Sequence, residues 1–291
     1  EVAITASLVK ELRERTGSGM MECKKALVET DGDIEAAAEL MRKSGAAKAD
    51  KKAGRVAADG AIRAIVTDDR KTAVILEINS ETDFVAKDNN FQSFADGVLQ
   101  LLLQQKPSSV EVLSQLSLVD GNTVEEARQV LISKVGENIQ IRRFQIIESE
   151  QGVASYLHGS RIGVLVDSSA EADMARDIAM HIAAVNPQFV DESAVPAEFL
   201  EKEKGILIAQ AQDSGKPAEI IEKMIQGRLN KFLAEVTLLG QPFVKDPDQT
   251  VGKLLSSSDA SISGFIRYEV GEGTEKKVED FAAEVASQLN S

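Results

Sequence analysis

The sequence predicts an α+β protein with a small helical module, a core made from a repeated unit of antiparallel sheet and helix, a helical hairpin inserted in the second copy, and a last helix. Three observations predict it. Apolar residues recur at helical spacing over 5–45, the order strand, strand, helix occurs twice after Ala61, and two amphipathic helical patterns meet at DSGKP inside the second occurrence. A chain of 291 residues with 43% hydrophobic content is large enough to bury a core in each of two or more units.

The first forty-odd residues read as three helices. SLVKELRER places Leu8, Val9 and Leu12 at helical spacing and stops at Gly17. MMECKKALVE follows, and Asp33 can cap IEAAAELMRKSG, which sets Ile34, Ala37, Leu40 and Met41 on one face. Met20 and Met21 sit at the joint after TGSG, as fillers of an irregular core or as soft side chains left for a partner. The Ala, Lys and Gly-rich stretch 46–60 reads as a linker. Cys23, among apolar helical positions, reads as a small core residue, and as the single cysteine it excludes an internal disulfide.

From Ala61 the period changes to that of strands. AIRAIVTDDRKTAVILEINS carries β-branched runs about the polar turn TDDRK, and the following KDNNFQSFADGVLQLLLQQ has Phe91, Phe94, Val98 and Leu102 at helical spacing. GVASYLH, GSR, IGVLVDSS and ADMARDIAMHIAAV repeat that order downstream. The repeat is interrupted by VPAEFLEKEKGILIAQAQ and PAEIIEKMIQGRLNKFLAEV, which Gly215 and Pro217 separate. Their Ile206, Ile208, Ile220, Met224 and Leu233 suggest an antiparallel helical hairpin that projects with an apolar face to spare. Strand-like SISGFIRYEV, the turn GEG and the amphipathic KKVEDFAAEVASQL close the chain. The expected divisions are 1–55 for the module and its basic linker, 56–150 for the first core unit, 151–189 with 237–274 for the second, 190–236 for the hairpin, and 275–291 for the last helix.

Charge and motifs exclude several functions. The formal charge is −14, and residues 1–55 hold 11 Lys and Arg against 10 Asp and Glu, leaving 22 against 37 for the rest. So acidic a chain is not built to wrap a phosphate backbone, and direct nucleic-acid binding is not expected. The basic run Arg42–Arg55 is either a solvated linker or a contact with RNA or an acidic patch. No apolar stretch approaches the ~20 residues of a membrane span, and the start lacks a basic segment followed by an apolar one, so a cytoplasmic protein without membrane contact is expected. GxxxxGK[ST], GxGxxG and HExxH are absent, and His158 and His181 lie in different elements without further ligands at metal spacing. Neither a metal, a cofactor nor covalent catalysis is therefore expected.

One residue resists the core reading. In ETDFVAKDNN, Glu81 to Asn90, Phe84 follows an acid where strand turns into helix, and the second copy has AEAD in place of ETDF. Phe84 is either a staple packed back on the helix it precedes or an aromatic kept for a partner.

LRERTGSGMMECKKAL, Leu12 to Leu27, and EINSETDFVAK, Glu77 to Lys87, resemble the signature segments of the bacterial elongation factor Ts family, nucleotide exchange factors for elongation factor Tu. VGENIQIRR, SYLHGSRIGVLV and GFIRYEVGEG fit the same family and extend the resemblance over nearly the whole chain. It implies that the module is similar to ubiquitin-associated domains and that the chain binds elongation factor Tu, GDP-bound and nucleotide-free, through Arg13, Met20, Met21 and Lys24. It implies that Thr82, Asp83 and Phe84 form a turn entering beside the partner's magnesium and phosphate site, with Lys52, Val135 and His158 meeting the rest of that partner. Module and core would then act together across a flexible tether, and the hairpin would offer a surface for self-association. A ubiquitin-associated-like adaptor would also explain the helical module, and an RNA binder the basic run. Neither explains ETDF.

Overall fold

The computed structural model describes residues 3–274 together with Ala286 and Leu289, so the helix expected over 275–291 lies, but for those two residues, outside the described residues. Helix α1 (Ala6–Thr16) is capped by the Thr5 hydroxyl and ended by Gly17 at φ 68°. Helices α2 (Met20–Glu29) and α3 (Ile34–Lys52) complete the module. Val9, Leu12, Cys23, Ala26, Leu27, Ala37 and Ala38 form its core, and Cys23 is one of them as its apolar neighbours suggest.

Helix α3 departs from the expected linker, because it runs unbroken to Lys52. Alanine and lysine are strong helix formers, and the small side chains that read as a linker are those a close helix contact needs. A Cβ on Gly45 would lie 3.7 Å from Ser133 of α7 (Val124–Val135), and Ala49, 3% exposed, is buried in the core of the first sheet. A continuous packed helix thus takes the place of most of the flexible tether. Residues 53–58 alone separate it from the first strand.

The first unit pairs β1 (Asp59–Val66), β2 (Thr72–Ser80) and β3 (Gln140–Glu148) as an antiparallel sheet with β2 central. Between β2 and β3 come α4 (Asp83–Ala86), α5 (Asn89–Gln105), α6 (Val110–Gln115) and α7. Phe91, Val98 and Leu102 of α5 and Ile132 of α7 are buried with Val74, Leu76 and Ile78 of β2. The second unit pairs β4 (Val153–His158), β5 (Ile162–Ser168) and β8 (Ile262–Glu269), with β5 central. Helix α8 (Ala172–Val185) covers it through Ala175, Ile178 and Ile182. The repeat is therefore fuller than strand, strand, helix: in both units a third strand returns to pair with the second.

The two sheets stack through their inner faces. Ile62, Ala73 and Ile75 pack with Val153, Leu165 and Tyr268, giving layers of helix, sheet, sheet and helix. Gly163 sets their separation, because a Cβ there would lie 2.5 Å from Ile62 Cγ2.

The insertion in the second unit holds α9 (Ala197–Gln212) and α10 (Ala218–Val236), with Gly215 at φ 67° in the connection and Pro217 as the α10 cap. Its seam is Leu207, Leu229 and Leu233, with Val195 and Leu200 beside it. Ile206 and Ile220, expected to share the apolar face, are exposed, while Ile208 and Met224 are half-buried. Leu200, Leu207 and Ala211 follow a seven-then-four spacing that turns Ile206 outward. Strands β6 (Pro242–Phe243) and β7 (Asp246–Thr250) and helix α11 (Val251–Ser257) lead back to β8.

Candidate partner-binding site

The Thr82–Phe84 turn is built from the end of β2 outward. Thr82 caps α4, accepting the Val85 N–H at 3.4 Å on its hydroxyl, while Ser80 donates to the Thr82 carbonyl at 2.7 Å. Thr82 also donates its own N–H to Glu137 Oε1 at 3.0 Å and its hydroxyl to Glu137 Oε2 at 2.9 Å. In return Glu81 Oε2 accepts the Asn138 N–H at 2.9 Å, and the Asn138 amide donates to the Arg55 carbonyl at 2.8 Å. The Arg55 guanidinium stands 3.7 Å from the same Glu81 oxygen. Two carboxylates thus tie two chain segments reciprocally, each accepting a backbone N–H from the other.

On this base Asp83 and Phe84 face solvent. Phe84 is 82% exposed, and the packing that a staple would supply comes from its neighbours, half-buried Val85 and buried Ala86. Asp83 has Lys87 at 3.9 Å, with both side chains more than half exposed. Such a pair is worth little energetically, so the carboxylate is free to meet something else.

The other expected contacts fall into two groups. Lys52 ends α3, and Val135 ends α7 two residues before Glu137; both are half-buried. His158 ends β4, exposed, with the Tyr156 hydroxyl 3.4 Å from its Nδ1. The turn after His158 docks on β1: Ile62 donates its N–H to the Ser160 carbonyl at 2.7 Å, and Arg161 pairs with Asp59 at 3.0 Å. Because Asp59 is registered opposite Ser80, this turn and the Thr82–Phe84 turn share one end of the stacked sheets. Arg13, Met20, Met21 and Lys24 form a separate exposed group on α1 and α2. Met20 is 58% and Met21 81% exposed, so neither fills the module core.

The basic run has a different character from the one its composition suggests. Arg42 pairs with Glu126 at 3.7 Å, Lys43 with Glu39 at 3.4 Å, Lys48 with Glu22 at 3.3 Å and Arg55 with Glu81 at 3.7 Å. Four of its six cations therefore face carboxylates, which lowers the free positive charge available to phosphates. Among the described residues no group of His, Cys, Asp and Glu could hold a metal ion, and no helix is long and apolar enough to cross a membrane.

Beneath the turn a buried ion network joins the two units. Glu77 of β2, fully buried, accepts from Arg143 Nε at 2.6 Å, from Arg142 at 3.4 Å, from Asn79 at 2.9 Å and from the Gly271 N–H at 2.9 Å. Arg143 lies over the Tyr268 ring at 4.0 Å, and burial pushes the Tyr268 hydroxyl up to about 12.

Comparison with known proteins decides the family. The model of the family described as elongation factor TS matches residues 81–272, which include the Thr82–Phe84 turn, Val135 and His158. The chain belongs to the elongation factor Ts family. It is similar to a protein named elongation factor Ts from Alkalilimnicola ehrlichii, 61% identical over 289 residues and covering 99% of both chains. Relatives of the same name from Thioalkalivibrio sulfidiphilus and Legionella pneumophila strain Lens are 60% and 56% identical over 290 residues, again with 99% of each chain covered. Glu81, Glu137, Asn138 and Arg55 were not singled out by sequence reasoning. Their signal was a Glu before the cap threonine and a Glu-Asn pair just past a helix-ending glycine.

Proposed function

We propose that this chain is a non-covalent exchange factor that binds elongation factor Tu and promotes release of GDP. The observation that carries the reading is Phe84, a large apolar side chain 82% exposed on a turn held by paired carboxylates. Exposing such a ring to water brings the free protein nothing, whereas burying it between elements of a partner stabilises that complex by about 2 kcal/mol. If the elements Phe84 separates are those that orient magnesium and phosphate, the distorted or nucleotide-free partner is bound more tightly than its GDP form. Linkage then requires the chain to weaken GDP by the factor by which GDP weakens the chain. Asp83 sits where it would position the turn or repel the metal-site carboxylates. Arg13, Met20, Met21 and Lys24 would hold the nucleotide-binding domain while Lys52, Val135 and His158 meet the rest. Self-association through the exposed Ile206 and Ile220 of the hairpin and action in the cytoplasm belong to the same proposal.

The test is release of a fluorescent GDP analogue from elongation factor Tu with and without this chain. Acceleration by substoichiometric protein is the expected result. An unchanged release rate at saturating protein would refute exchange, and retention of RNA by the purified chain would favour the rival reading.

A further inference from the structure

We propose that Glu81 and Glu137 are positioning residues that hold the Thr82–Phe84 turn in the form that acts on the partner. The proposal rests on the exchange reading above. Neither carboxylate is fully exposed; Glu137 is engaged by the turn, and Glu81, next to the turn in the chain, by the segment that carries Glu137. Glu137 takes both the N–H and the hydroxyl of Thr82, at 3.0 and 2.9 Å, and Glu81 takes the N–H of Asn138 at 2.9 Å. Each bond joins an ionised acceptor to a fixed donor, the stronger class of hydrogen bond. The arrangement is reciprocal, so breaking one bond loosens the partner segment that makes the other.

Geometry explains why a turn of this kind needs a clasp. Helix α4 has four residues, too few to hold its direction by its own hydrogen bonds, and it is anchored to the core by Val85 and Ala86. Phe84 points the other way. Without the straps at Glu81 and Thr82, α4 would pivot about that small anchor and the ring would meet its partner in many orientations. The entropy lost in ordering them would then weaken binding. The clasp also reaches the module, since Asn138 donates to the Arg55 carbonyl and Arg55 faces Glu81. Loss of the segment after α3 would therefore disturb the turn even with every partner-contacting residue in place.

A double-mutant cycle on the full chain separates positioning from plain structural support. Glu137→Ala, which removes the acceptor of both Thr82 bonds, is expected to slow catalysed release of the fluorescent GDP analogue at least about tenfold at limiting protein. Glu137→Gln, which keeps an oxygen able to accept the Thr82 N–H, should recover part of that rate. In a Phe84→Ala background the same Glu137→Ala change should have almost no further effect, because the residue acts through the ring. Faster hydrogen exchange at the Thr82 amide should accompany the loss. Full multiplication of the two single effects, or wild-type exchange by both Glu137 variants with Phe84→Ala impaired, would overturn positioning. Normal exchange by Phe84→Ala would instead remove the reading on which the proposal rests. Should Glu137→Ala fail to fold, Glu137→Gln and the Thr82 amide still separate these outcomes.

Discussion

The two copies of the repeated unit differ most where strand gives way to helix. In the first copy the register of β2 on β3 shifts between Glu77 and Ile78, where β3 carries Arg142 as the extra residue, and Thr82 caps α4, after which the chain breaks at Lys87 and begins α5 at Asn89. In the second the register shifts between Asp167 and Ser168, where β8 carries Ser263 as the extra residue, Glu171 caps α8, and the helix runs 14 residues without a break. Aligned on their caps, Val85 matches half-buried Met174 and Ala86 matches buried Ala175, so the anchoring positions keep their burial. Phe84 then matches Asp173, exposed as well. The unit's fold leaves this position free in both copies, and an aromatic occupies it in one. An exposed aromatic at a position where the same fold accepts an aspartate is there for something other than folding. The first copy also inserts one more residue between bulge and cap, and the carboxylates of Glu81 and Glu137 brace the longer connection.

The largest expected difference between the copies lies in the acids that face the bulges. Glu77 and Asp167 lie at equivalent places on the central strands, each facing a bulge in its neighbour, yet Glu77 binds two arginines and a backbone N–H of the other unit, whereas Asp167 accepts from the Ser149 hydroxyl at 2.5 Å. Glu77→Ala leaves Arg142 and Arg143 without their buried counter-charge and is expected to lower unfolding free energy by on the order of 3–5 kcal/mol. Asp167→Ala should cost about 1 kcal/mol, the usual net value of a hydrogen bond. Urea unfolding measures both. Equal losses would mean that the two bulges carry equal loads and that the asymmetry has no energetic content.

The exposed residues at the equivalent positions, Phe84 and Asp173, are expected to differ in function and not in stability. Phe84→Asp, which installs the second copy's residue, should cost under about 0.5 kcal/mol of stability. It should slow catalysed GDP release roughly 30-fold, the equivalent of about 2 kcal/mol of lost apolar burial. Asp173→Phe should change neither quantity appreciably. A melting temperature that fell by many degrees in Phe84→Asp, with exchange intact in the folded fraction, would return Phe84 to the core.

A third change tests the packing between copies. Gly163 and Ala73 face each other's unit at equivalent places on the central strands, but a Cβ on Gly163 would collide with Ile62 at 2.5 Å. Gly163→Ala is expected to cost about 1–3 kcal/mol by overpacking. Thermal unfolding of this variant beside Ile62→Leu/Gly163→Ala, in which residue 62 lacks the Cγ2 branch, should show partial recovery in the double variant, and no recovery would place the strain elsewhere.

Much of this was legible in the sequence, for physical reasons that can be named. The hairpin at TDDRK, the helix through Phe91 and Val98, and the break at DSGKP announce themselves by period and turn chemistry. Strand β3 is not legible because the adjacent arginines of QIRRFQIIE interrupt the apolar alternation, and Arg142 and Arg143 serve a carboxylate 65 and 66 residues away that no local pattern reveals. The end of α3 was misread because its glycine and alanines, which suit a linker, face another helix. At the candidate site the turn and its aromatic were legible, but the clasp was not. Glu137 is 55 residues from Thr82, and their meeting depends on the pairing of β2 with β3.

The smallest expected effect lies in the second copy and has no counterpart in the first. His181 of α8 is buried at the foot of the inserted hairpin, where Nδ1 accepts the Val244 N–H at 3.2 Å and Nε2 donates to Gln241 Oε1 at 2.9 Å. The Phe243 ring stacks on it at 6.0 Å, and the exposed pair Lys245–Asp177, 3.0 Å apart, lies beside it. Burial holds the imidazole below its ordinary value of 6.5, against the opposing pull of Gln241. Protonation would also set a second N–H against the Val244 donor. Because the unfolded chain takes up the proton first, stability is full above about pH 6.5 and falls as pH drops from there through the folded value. Unfolding free energies at pH 7.5, 6.5 and 5.5 stay above the range in which most carboxylates titrate. They should decline modestly in the natural chain and stay nearly flat in His181→Gln, with catalysed exchange by the Phe84 turn following the fraction folded. Equal slopes in the two proteins would show that some other group sets the acid limb, and that the second copy is no more pH-sensitive than the first.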